Sequence, residues 1–341
     1  MNNVHPKKIL VVGPAWVGDM MMAQVLFKLL RQQYPDAAIH VLAPAWSEAL
    51  TARMPEVTKT LVLPFSHGQF ELFKRYQFGR VLRAEHYDHA FVLPNSWKSA
   101  IIPFAARISK RTGWVGEFRY GLLNDYRRLN KKKFPKMIER FAALTFPEGA
   151  VLPEILPLPE LISWREDAEA ALKKYALSTD QPILALCPGA EFGPSKCWLP
   201  SYYAQVANQK LQEGWQVWLL GSNKDKSITD QINHETQESC ANLAGKTSLS
   251  EAVDLLSRVT SVVTNDSGLM HIACALGKPV IAVYGSTSPE FTPPLSPHAH
   301  ILKTALDCQP CFQRTCPLKH HHCMKKITPE QVLGLLTSSP S

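Results

Sequence analysis

Short apolar runs alternate with amphipathic helical patterns along the first half of the chain. The apolar runs predict strands at Lys8–Val12, Ile39–Ala43, Thr60–Leu63 and Ala90–Leu93. The helical patterns predict helices at Met20–Tyr34, Leu72–Glu85 and Ser96–Ile108. Because strands that alternate with helices form βα crossover units, this order predicts a parallel sheet.

The second half repeats this alternation. Strands are predicted at Ile183–Cys187, Gln216–Leu220, Ser261–Thr264 and Val280–Tyr284, and helices at Arg165–Tyr175, Ser201–Glu213, Ser248–Ser257, Ser267–Leu276 and Pro329–Leu336. Four prolines lie from Pro147 to Pro159, and this stretch is typical of a linker. We therefore predict two doubly wound α/β domains, residues 1–155 and 156–341, that face each other across a cleft.

Composition places the chain among globular proteins. Its 341 residues are 45% hydrophobic and 19% charged, which suits two domains with separate cores. No stretch of about 18 residues is free of charged side chains, so no transmembrane helix is predicted. The first residues, MNNVHPKKILVV, lack the features of a signal peptide and predict a cytoplasmic protein.

Positive charge is concentrated in the first half. Residues 1–150 hold 22 Lys and Arg against 11 Asp and Glu, whereas the remaining residues hold 15 against 18. This half therefore suits an anionic partner or an anionic surface. Ordinary solubilising charge explains the composition equally well.

Glycines and an aspartate occupy the loop after the first predicted strand, Gly13-Pro14-Ala15-Trp16-Val17-Gly18-Asp19. Glycine allows a sharp turn and a close approach to a ligand, but the spacing of a dinucleotide site is absent. Asp19 is either a capping or first-turn carboxylate of the next helix, or a general base that deprotonates an acceptor hydroxyl. Its position alone leaves both interpretations open.

The loop after the first strand of the second half runs from Cys187 to Lys196 and contains Gly189 and Gly193. Backbone N–H groups in such a loop bind phosphates, and Lys196 supplies a positive charge. The spacing of a P-loop is absent. A surface turn with an exposed lysine is the competing interpretation.

The stretch Thr264-Asn265-Asp266-Ser267-Gly268-Leu269-Met270-His271 leaves a strand and opens a helix. Free N–H groups at the positive end of that helix form a natural pyrophosphate site, with Asp266 as the predicted cap. His271 lies one turn further on, on the same face as Ser267, and can hydrogen-bond or neutralise a leaving phosphate. A histidine in such a place is also often a purely structural residue.

An acidic residue, Asp225, follows the predicted strand Gln216–Leu220 after Gly221-Ser222-Asn223-Lys224. A carboxylate just past a strand end suits two ribose hydroxyls. The more common role of such a residue is a charge at the N-terminus of a helix.

Together these motifs resemble glycosyltransferase family 9. The resemblance rests on the first loop with its Gly-Asp pair, on the P-G-A…K-x-W-L-P loop and on V-T-N-D-S-G-L-M-H. Matching stretches extend over nearly the whole chain: Val11–Met22, Val92–Ser99, Arg111–Asp125, Cys187–Lys196, Val263–Ala273 and Phe291–Leu295.

The resemblance implies a GT-B architecture, with the acceptor mainly on the N-terminal domain and the nucleotide sugar mainly on the C-terminal one. It implies transfer of L-glycero-D-manno-heptose from ADP-heptose onto the first heptose of the lipopolysaccharide inner core, with inversion and without a catalytic metal. Asp19 matches the base, Lys196 the diphosphate contact and Asp225 the ribose contact. The candidates for donor binding are Gly18, Gly189, Glu191, Lys196, Asp225, Asp266, Ser267, Gly268 and His271.

An inner-core acceptor is anionic and sits on a membrane leaflet, which gives the basic half a role. The candidates for this surface are Arg119, Arg127, Arg128, Lys131, Lys132 and Lys133. The expected location is the cytoplasmic face of the inner membrane, with peripheral contact and no nucleic-acid partner.

Four cysteines, Cys308, Cys311, Cys316 and Cys323, have the spacing of a metal site, with His320, His321 and His322 beside them. In a cytoplasmic protein such thiols favour Zn²⁺ over disulfides. A structural zinc is therefore one hypothesis, and four reduced thiols in a loop are the alternative. The distance in sequence from the predicted donor turn argues against a catalytic metal.

Other functions remain open at this point. An enzyme that adds the first heptose, or a sugar-nucleotide epimerase, shares most of these features. A zinc-containing nucleic-acid-binding protein fits the positive charge, but no aromatic stacking platform accompanies the basic residues. A dehydrogenase is disfavoured because no G-x-G-x-x-G follows a strand.

Overall fold

The computed structural model of the protein describes residues 6–65 and 70–337. Contacts divide the chain into two compact units, Met1–Pro159 and Glu160–Ser341. The boundary between them lies four residues after the predicted one at residue 155. Within the described residues, no helix is both long enough and apolar enough to cross a bilayer.

The first unit is an α/β domain built on one parallel sheet. Its strands are β1 (Lys8–Val12), β2 (Ala38–Ala43), β3 (Lys59–Val62), β4 (His89–Val92), β5 (Lys110–Trp114) and β6 (Asp125–Arg127). Its helices are α1 (Val17–Gln33), α2 (Glu48–Thr51), α3 (Leu72–Val81), α4 (Ile101–Ala105) and α5 (Met137–Ala142). The strand order is β3-β2-β1-β4-β5-β6, the order of a Rossmann sheet.

The second unit repeats this topology. Its strands are β7 (Ile183–Cys187), β8 (Gln216–Leu219), β9 (Ala241–Asn242), β10 (Ser261–Asn265), β11 (Val280–Tyr284) and β12 (Ala299–Lys303). Its helices are α6 (Arg165–Lys174), α7 (Pro200–Gln212), α8 (Lys226–Glu235), α9 (Leu249–Leu256), α10 (Gly268–Ala275), α11 (His322–Lys325) and α12 (Pro329–Thr337). The order β12-β11-β10-β7-β8-β9, read from its other end, is again that of a Rossmann sheet.

The central strands form the cores of both units. Strands β7, β10 and β11 are buried along their whole length, as is β1 beyond its first residue. Helices cover both faces of a parallel sheet of this kind, so its strands are continuous apolar runs. The predicted central strands are confirmed for this reason, whereas β5, β6, β9 and β12 were not predicted.

The topology places a ligand-binding position in each unit. Strands β1 and β4 are hydrogen-bonded neighbours, and so are β7 and β10. The strand order reverses between the members of each pair, and ligands of doubly wound sheets bind outside the carboxyl ends of such strands. The loops after β1, β7 and β10, which carry most of the candidate residues, all start at these positions.

Arg119 is a buried structural residue, and its prediction as part of an exposed anion-binding surface is wrong. Only 1% of it is exposed. Its guanidinium donates hydrogen bonds to the Pro94 carbonyl at 2.5 Å, to the Ser99 hydroxyl at 3.0 Å and to the Trp114 carbonyl at 2.5 Å. Burial lowers the pKa of Arg119 to about 10. Arg119 therefore holds the loop that follows β4.

Arg127 is also buried, so its prediction as a surface residue is wrong as well. It is 5% exposed, donates to the Ala143 carbonyl at 2.8 Å and lies 3.2 Å from the Asp125 carboxylate. Its guanidinium therefore links the edge strand β6 to the end of α5. The carbonyl at that helix end lacks a partner within the helix and accepts this hydrogen bond. The exposed members of the predicted surface are Arg128, Lys131, Lys132 and Lys133.

Candidate functional site

The loop after β1 positions Asp19 in the first turn of α1. The helix begins at Val17, earlier than predicted, and its N-cap is Trp16, whose side chain makes no capping bond. Asp19 is thus a first-turn carboxylate rather than the N-cap, and it is half-buried. Gly18 is the residue before it, in the same turn. The partial positive charge of the helix end stabilises a carboxylate in this place.

Lys196 in the second unit joins the loops that follow β7 and β10. Its ammonium donates to the Asp266 carboxylate at 2.7 Å and to the Asp266 carbonyl at 3.2 Å. It also lies 5.2 Å from the centre of the Phe192 ring. The side chain of Lys196 is 15% exposed and that of Asp266 is 5% exposed. Lys196 is therefore a held, mostly buried cation, which contradicts the interpretation as an exposed surface lysine.

Asp266 does not cap helix α10. Ser267 is the N-cap, and its hydroxyl accepts from the Met270 N–H at 3.4 Å. Asp266 instead accepts from Lys196 and, at 2.6 Å, from the Thr287 hydroxyl. A carboxylate with two charge-assisted or hydroxyl partners is fixed in position, so Asp266 orients Lys196.

Asn265, the last residue of β10, links this turn to the loop after β7. Its amide nitrogen donates to the Pro188 carbonyl at 2.6 Å. Its amide oxygen accepts from the Trp198 N–H at 2.9 Å and from the Tyr203 hydroxyl at 3.1 Å. Asn265 is fully buried, and a buried amide that is satisfied in this way stabilises one loop conformation.

His271 is 5% exposed and lies one turn into α10, beyond Gly268. Burial lowers the pKa of His271 to about 4, and the charge of Lys196 lowers it too, although Asp266 acts in the opposite direction. At neutral pH the imidazole is therefore uncharged in this structure. It can contribute a hydrogen bond to a bound anion, while Lys196 supplies the positive charge.

Asp225 lies in the loop that follows β8 and packs against Gly189 in the loop that follows β7. Its carboxylate accepts from the Ser222 N–H at 2.7 Å and from the Ser222 hydroxyl at 2.8 Å. A Cβ at Gly189 would lie 2.2 Å from Cγ of Asp225, and one at Gly221 would lie 2.9 Å from its Cβ. Both glycines therefore make room for this carboxylate, which explains Gly189 sterically.

Glu191 is the most exposed of the candidates in this loop. It forms an ion pair with Lys224, and the two side chains are 46% and 73% exposed. Such a surface pair contributes little to stability. The Glu191 carboxylate therefore remains accessible next to the Asp225 region.

Sequence reasoning did not identify the loop after β11. Thr287 lies there and fixes the Asp266 carboxylate, and the neighbouring Ser286 hydroxyl lies 2.9 Å from that of Ser195. Both residues are nearly buried. The available signal was the run Gly285-Ser286-Thr287-Ser288 directly after an apolar strand, since small hydroxyl residues at a strand end serve as hydrogen-bond donors.

The four clustered cysteines lie next to this site. They line one cavity of about 20 Å³ together with Ser195 and Ser286. Burial raises the pKa of the Cys323 thiol, and the other three thiols raise it further. Within the described residues, no three Cys, His, Asp or Glu side chains are already placed to hold a metal ion.

The second unit thus presents a fixed cation, the start of a helix and a carboxylate at neighbouring strand ends. The first N–H groups of α10 have no partner within the helix, and such a helix end can bind an anion. Positive charge beside such a helix start suits a diphosphate, and a carboxylate beyond the next strand suits a ribose. The arrangement can bind a nucleoside diphosphate and stabilise negative charge on it.

Two doubly wound parallel sheets with this strand-end site define the GT-B type of glycosyltransferase. The structure of the E. coli ADP-heptose lps heptosyltransferase II matches this chain with a TM-score of 0.88 and 44% identity, over 97% of this chain and 98% of that one. A glycosyltransferase of family 9 from Veillonella parvula matches with a TM-score of 0.84 and 19% identity over 98% of both chains, which supports the fold.

The chain belongs to glycosyltransferase family 9 (heptosyltransferase), whose model matches residues 75–322. The lipopolysaccharide heptosyltransferase 2 of Salmonella typhimurium is 46% identical over 97% of this chain and 98% of its own length. The lipooligosaccharide heptosyltransferase 2 of Haemophilus influenzae is 52% identical over 86% of this chain and 88% of its own length. The predicted enzyme class and family are confirmed, in preference to the epimerase, dehydrogenase and nucleic-acid-binding alternatives.

Proposed function

We propose that the protein transfers L-glycero-D-manno-heptose from ADP-heptose onto the first heptose of the lipopolysaccharide inner core, with inversion. The observation that carries this proposal is the placement of Lys196 beside the start of α10, where a departing diphosphate gains charge. Relatives that are about half identical over most of the chain carry the names of the second heptosyltransferase. Their names support the choice of donor and acceptor.

The proposed donor site uses the second unit. Displacement at an anomeric carbon passes through a state with oxocarbenium character, in which negative charge moves onto the leaving phosphate. The Lys196 ammonium, the N–H groups at Ser267 and Gly268 and the imidazole of His271 stabilise that charge. In this proposal the fixed charge of Lys196, rather than a catalytic metal, stabilises the leaving diphosphate.

The remaining donor contacts follow from the strand order. Asp225, past the end of β8, accepts hydrogen bonds from the ribose hydroxyls, and Gly189 allows the backbone to approach the nucleotide. Glu191, exposed in the same loop, contacts the outer part of the donor. Gly18, in the first turn of α1, lies directly before the proposed base Asp19.

Asp19 is the proposed general base of the reaction. An inverting displacement needs one carboxylate that takes the proton from the attacking hydroxyl. Asp19 lies at the carboxyl end of β1, at the position where doubly wound sheets bind ligands. The ionised carboxylate is the form that accepts a proton.

The acceptor phosphates and acids bind at the basic segment after β6. Arg128 and Lys133 line a cavity of about 190 Å³ whose apolar walls include Trp114 and Phe134. Cations next to aromatic rings suit a charged sugar, which has both anionic groups and an apolar face. Exposed Lys131 and Lys132 extend the positive charge beyond this cavity.

Helix α3 is the proposed contact with the cytoplasmic face of the inner membrane. It exposes 70% of Phe73, 44% of Leu72, 40% of Tyr76 and 70% of Val81, with exposed basic residues on the same helix. Exposed aromatic side chains next to basic ones are typical of the boundary between a membrane and water. An enzyme with a lipid-linked acceptor benefits from such a contact.

Release of ADP from ADP-heptose tests the proposed reaction. We expect rapid release with an inner-core acceptor that ends in one heptose, and little release with an acceptor that lacks heptose or with no acceptor. An acceptor hydroxyl is required because the reaction is a transfer rather than a hydrolysis. Equal release with the heptose-free acceptor would instead indicate an enzyme that adds the first heptose.

Substitution Asp19→Asn should remove the base and leave the fold intact. We expect the turnover number to fall by about 10²–10⁴-fold, the usual contribution of a general base. ADP affinity, measured by calorimetry, should stay unchanged because the nucleotide binds the other unit. The matched control is Asp36→Asn, at an exposed carboxylate beyond the end of α1. Near-normal turnover in Asp19→Asn would remove this residue from the base role.

Substitution Lys196→Ala should impair use of the donor more than use of the acceptor. We expect turnover to fall by about 10²–10³-fold, as for loss of one charge-stabilising donor. The half-saturating concentration of ADP-heptose should rise as well. Because the change leaves Asp266 buried without its cation, a thermal unfolding scan must show that the variant folds. Lys196→Arg keeps the charge, and Lys174→Ala is the surface control.

If Lys196→Ala folds and changes only the half-saturating concentration of the acceptor, the diphosphate role belongs to another residue. Partial recovery in Lys196→Arg would indicate that positive charge, rather than the shape of lysine, supports the reaction.

Substitution Phe73→Glu should weaken binding to vesicles that contain anionic lipids. Burying a phenylalanine contributes about 1.5–3 kcal/mol, so the affinity should fall about tenfold or more in a flotation assay. The control variant Val151→Glu, which changes an even more exposed apolar residue outside α3, should bind as the unmodified protein does. Equal binding of Phe73→Glu and the unmodified protein would exclude α3 as the membrane contact.

A further inference from the structure

Residues 304–321, between β12 and α11, form a long segment without helix or strand. Loops longer than about 12–15 residues without secondary structure are uncommon in compact domains. Three non-glycine residues of this segment, Phe312, Lys319 and His321, have left-handed backbone angles with φ of 52°, 55° and 54°. Such angles persist where the surroundings fix the chain. Something other than regular secondary structure therefore holds this segment.

Four cysteines could hold this segment: three lie within it, and the fourth, Cys323, lies just after it in α11. Cys308 and Cys311 lie before the loop 312–315, and Cys316 and Cys323 lie after it. None of the four thiols forms a disulfide, and all four line the same cavity. The volume of this cavity, about 20 Å³, is enough for one water molecule or one ion.

We propose that these four cysteines bind one Zn²⁺ ion as thiolates in a structural site. A closed set of four thiolates is the ligand set that zinc takes in structural sites. Each thiol loses its proton on binding, so the site carries a net negative charge. Lys319, Lys325 and Lys326 lie close to these cysteines in the sequence.

The same segment supports the loop that carries Lys196. The Arg314 carbonyl accepts from the Ser195 N–H at 3.1 Å, and the Gln313 carbonyl accepts from the Ser195 hydroxyl. The Phe312 N–H donates to the Ser286 carbonyl at 2.8 Å. The Gln313 and Arg314 carbonyls belong to the loop 312–315, which lies between the two cysteine pairs. An ion bound by both pairs would therefore fix the positions of these two carbonyls.

Two further contacts strengthen this support. An imidazole nitrogen of His321 lies 3.3 Å from the Ser195 carbonyl. At Gly193 a Cβ would lie 2.6 Å from the Arg314 carbonyl, so only glycine allows the two loops to approach this closely. We therefore infer that zinc helps to position Lys196 indirectly, through the contacts that the segment makes with the neighbouring residue Ser195. This second step rests on the proposed donor role of Lys196, whereas the zinc site itself does not.

Metal analysis of the full chain, purified from zinc-supplemented cells and desalted under reducing conditions, tests the site. We expect about one zinc per chain, released when a mercurial reagent blocks the thiols. Cys311→Ser and Cys316→Ser should each reduce the content to below about 0.2 zinc per chain, whereas Cys240→Ala, at a buried thiol outside the segment, should not. Below about 0.2 zinc in the unmodified protein, without uptake of added zinc, would overturn the proposal.

Amide hydrogen exchange tests the coupling without reference to activity. Zinc should slow exchange in peptides that cover residues 308–323 and also in those that cover residues 190–198. Protection of the first region alone would support the site and overturn its link to Lys196. If Lys196→Ala keeps its zinc and its exchange pattern and also keeps full donor use, the proposed donor role of Lys196 fails while the zinc site stands.

Discussion

The buried ion pair between Lys196 and Asp266 is the interaction on which the second unit's site depends. Taking two charges out of water costs several kcal/mol for each ion, and only good geometry and further hydrogen bonds offset that cost. Here the Thr287 hydroxyl donates a further hydrogen bond to the Asp266 carboxylate, and the Lys196 ammonium lies over the Phe192 ring. The pair therefore exists only when the loops after β7, β10 and β11 all have their present conformations.

The sequence predicted the parts of the structure whose causes are local. Strands β1, β7, β10 and β11 are continuous apolar runs, because helices cover both faces of their sheets. The edge strands β6 and β9 are only three and two residues long, and no apolar run marks them. Lys196, Asp266 and Ser267 became candidates because glycines and charges gather where strands end, although the cap proved to be Ser267 rather than Asp266.

The rest depends on contacts between residues that are distant in sequence. Arg119 and Arg127 look like surface charges in a basic stretch, and only the fold shows the carbonyls that they satisfy. Thr287 lies 21 residues from its partner Asp266, and Gln313 lies 118 residues from Ser195. No pattern of polarity along the chain encodes such pairs, although the strand order makes them possible.

Asn265 has a consequence for the chemical ageing of the protein. Deamidation begins when the next backbone nitrogen attacks the side-chain carbonyl, which requires the side chain to turn towards its own backbone. Three hydrogen bonds hold the Asn265 amide away from that path, in a buried position. The product, an aspartate, would set a carboxylate against the Pro188 carbonyl. The same bonds that shape the strand end thus also protect it from slow hydrolytic damage.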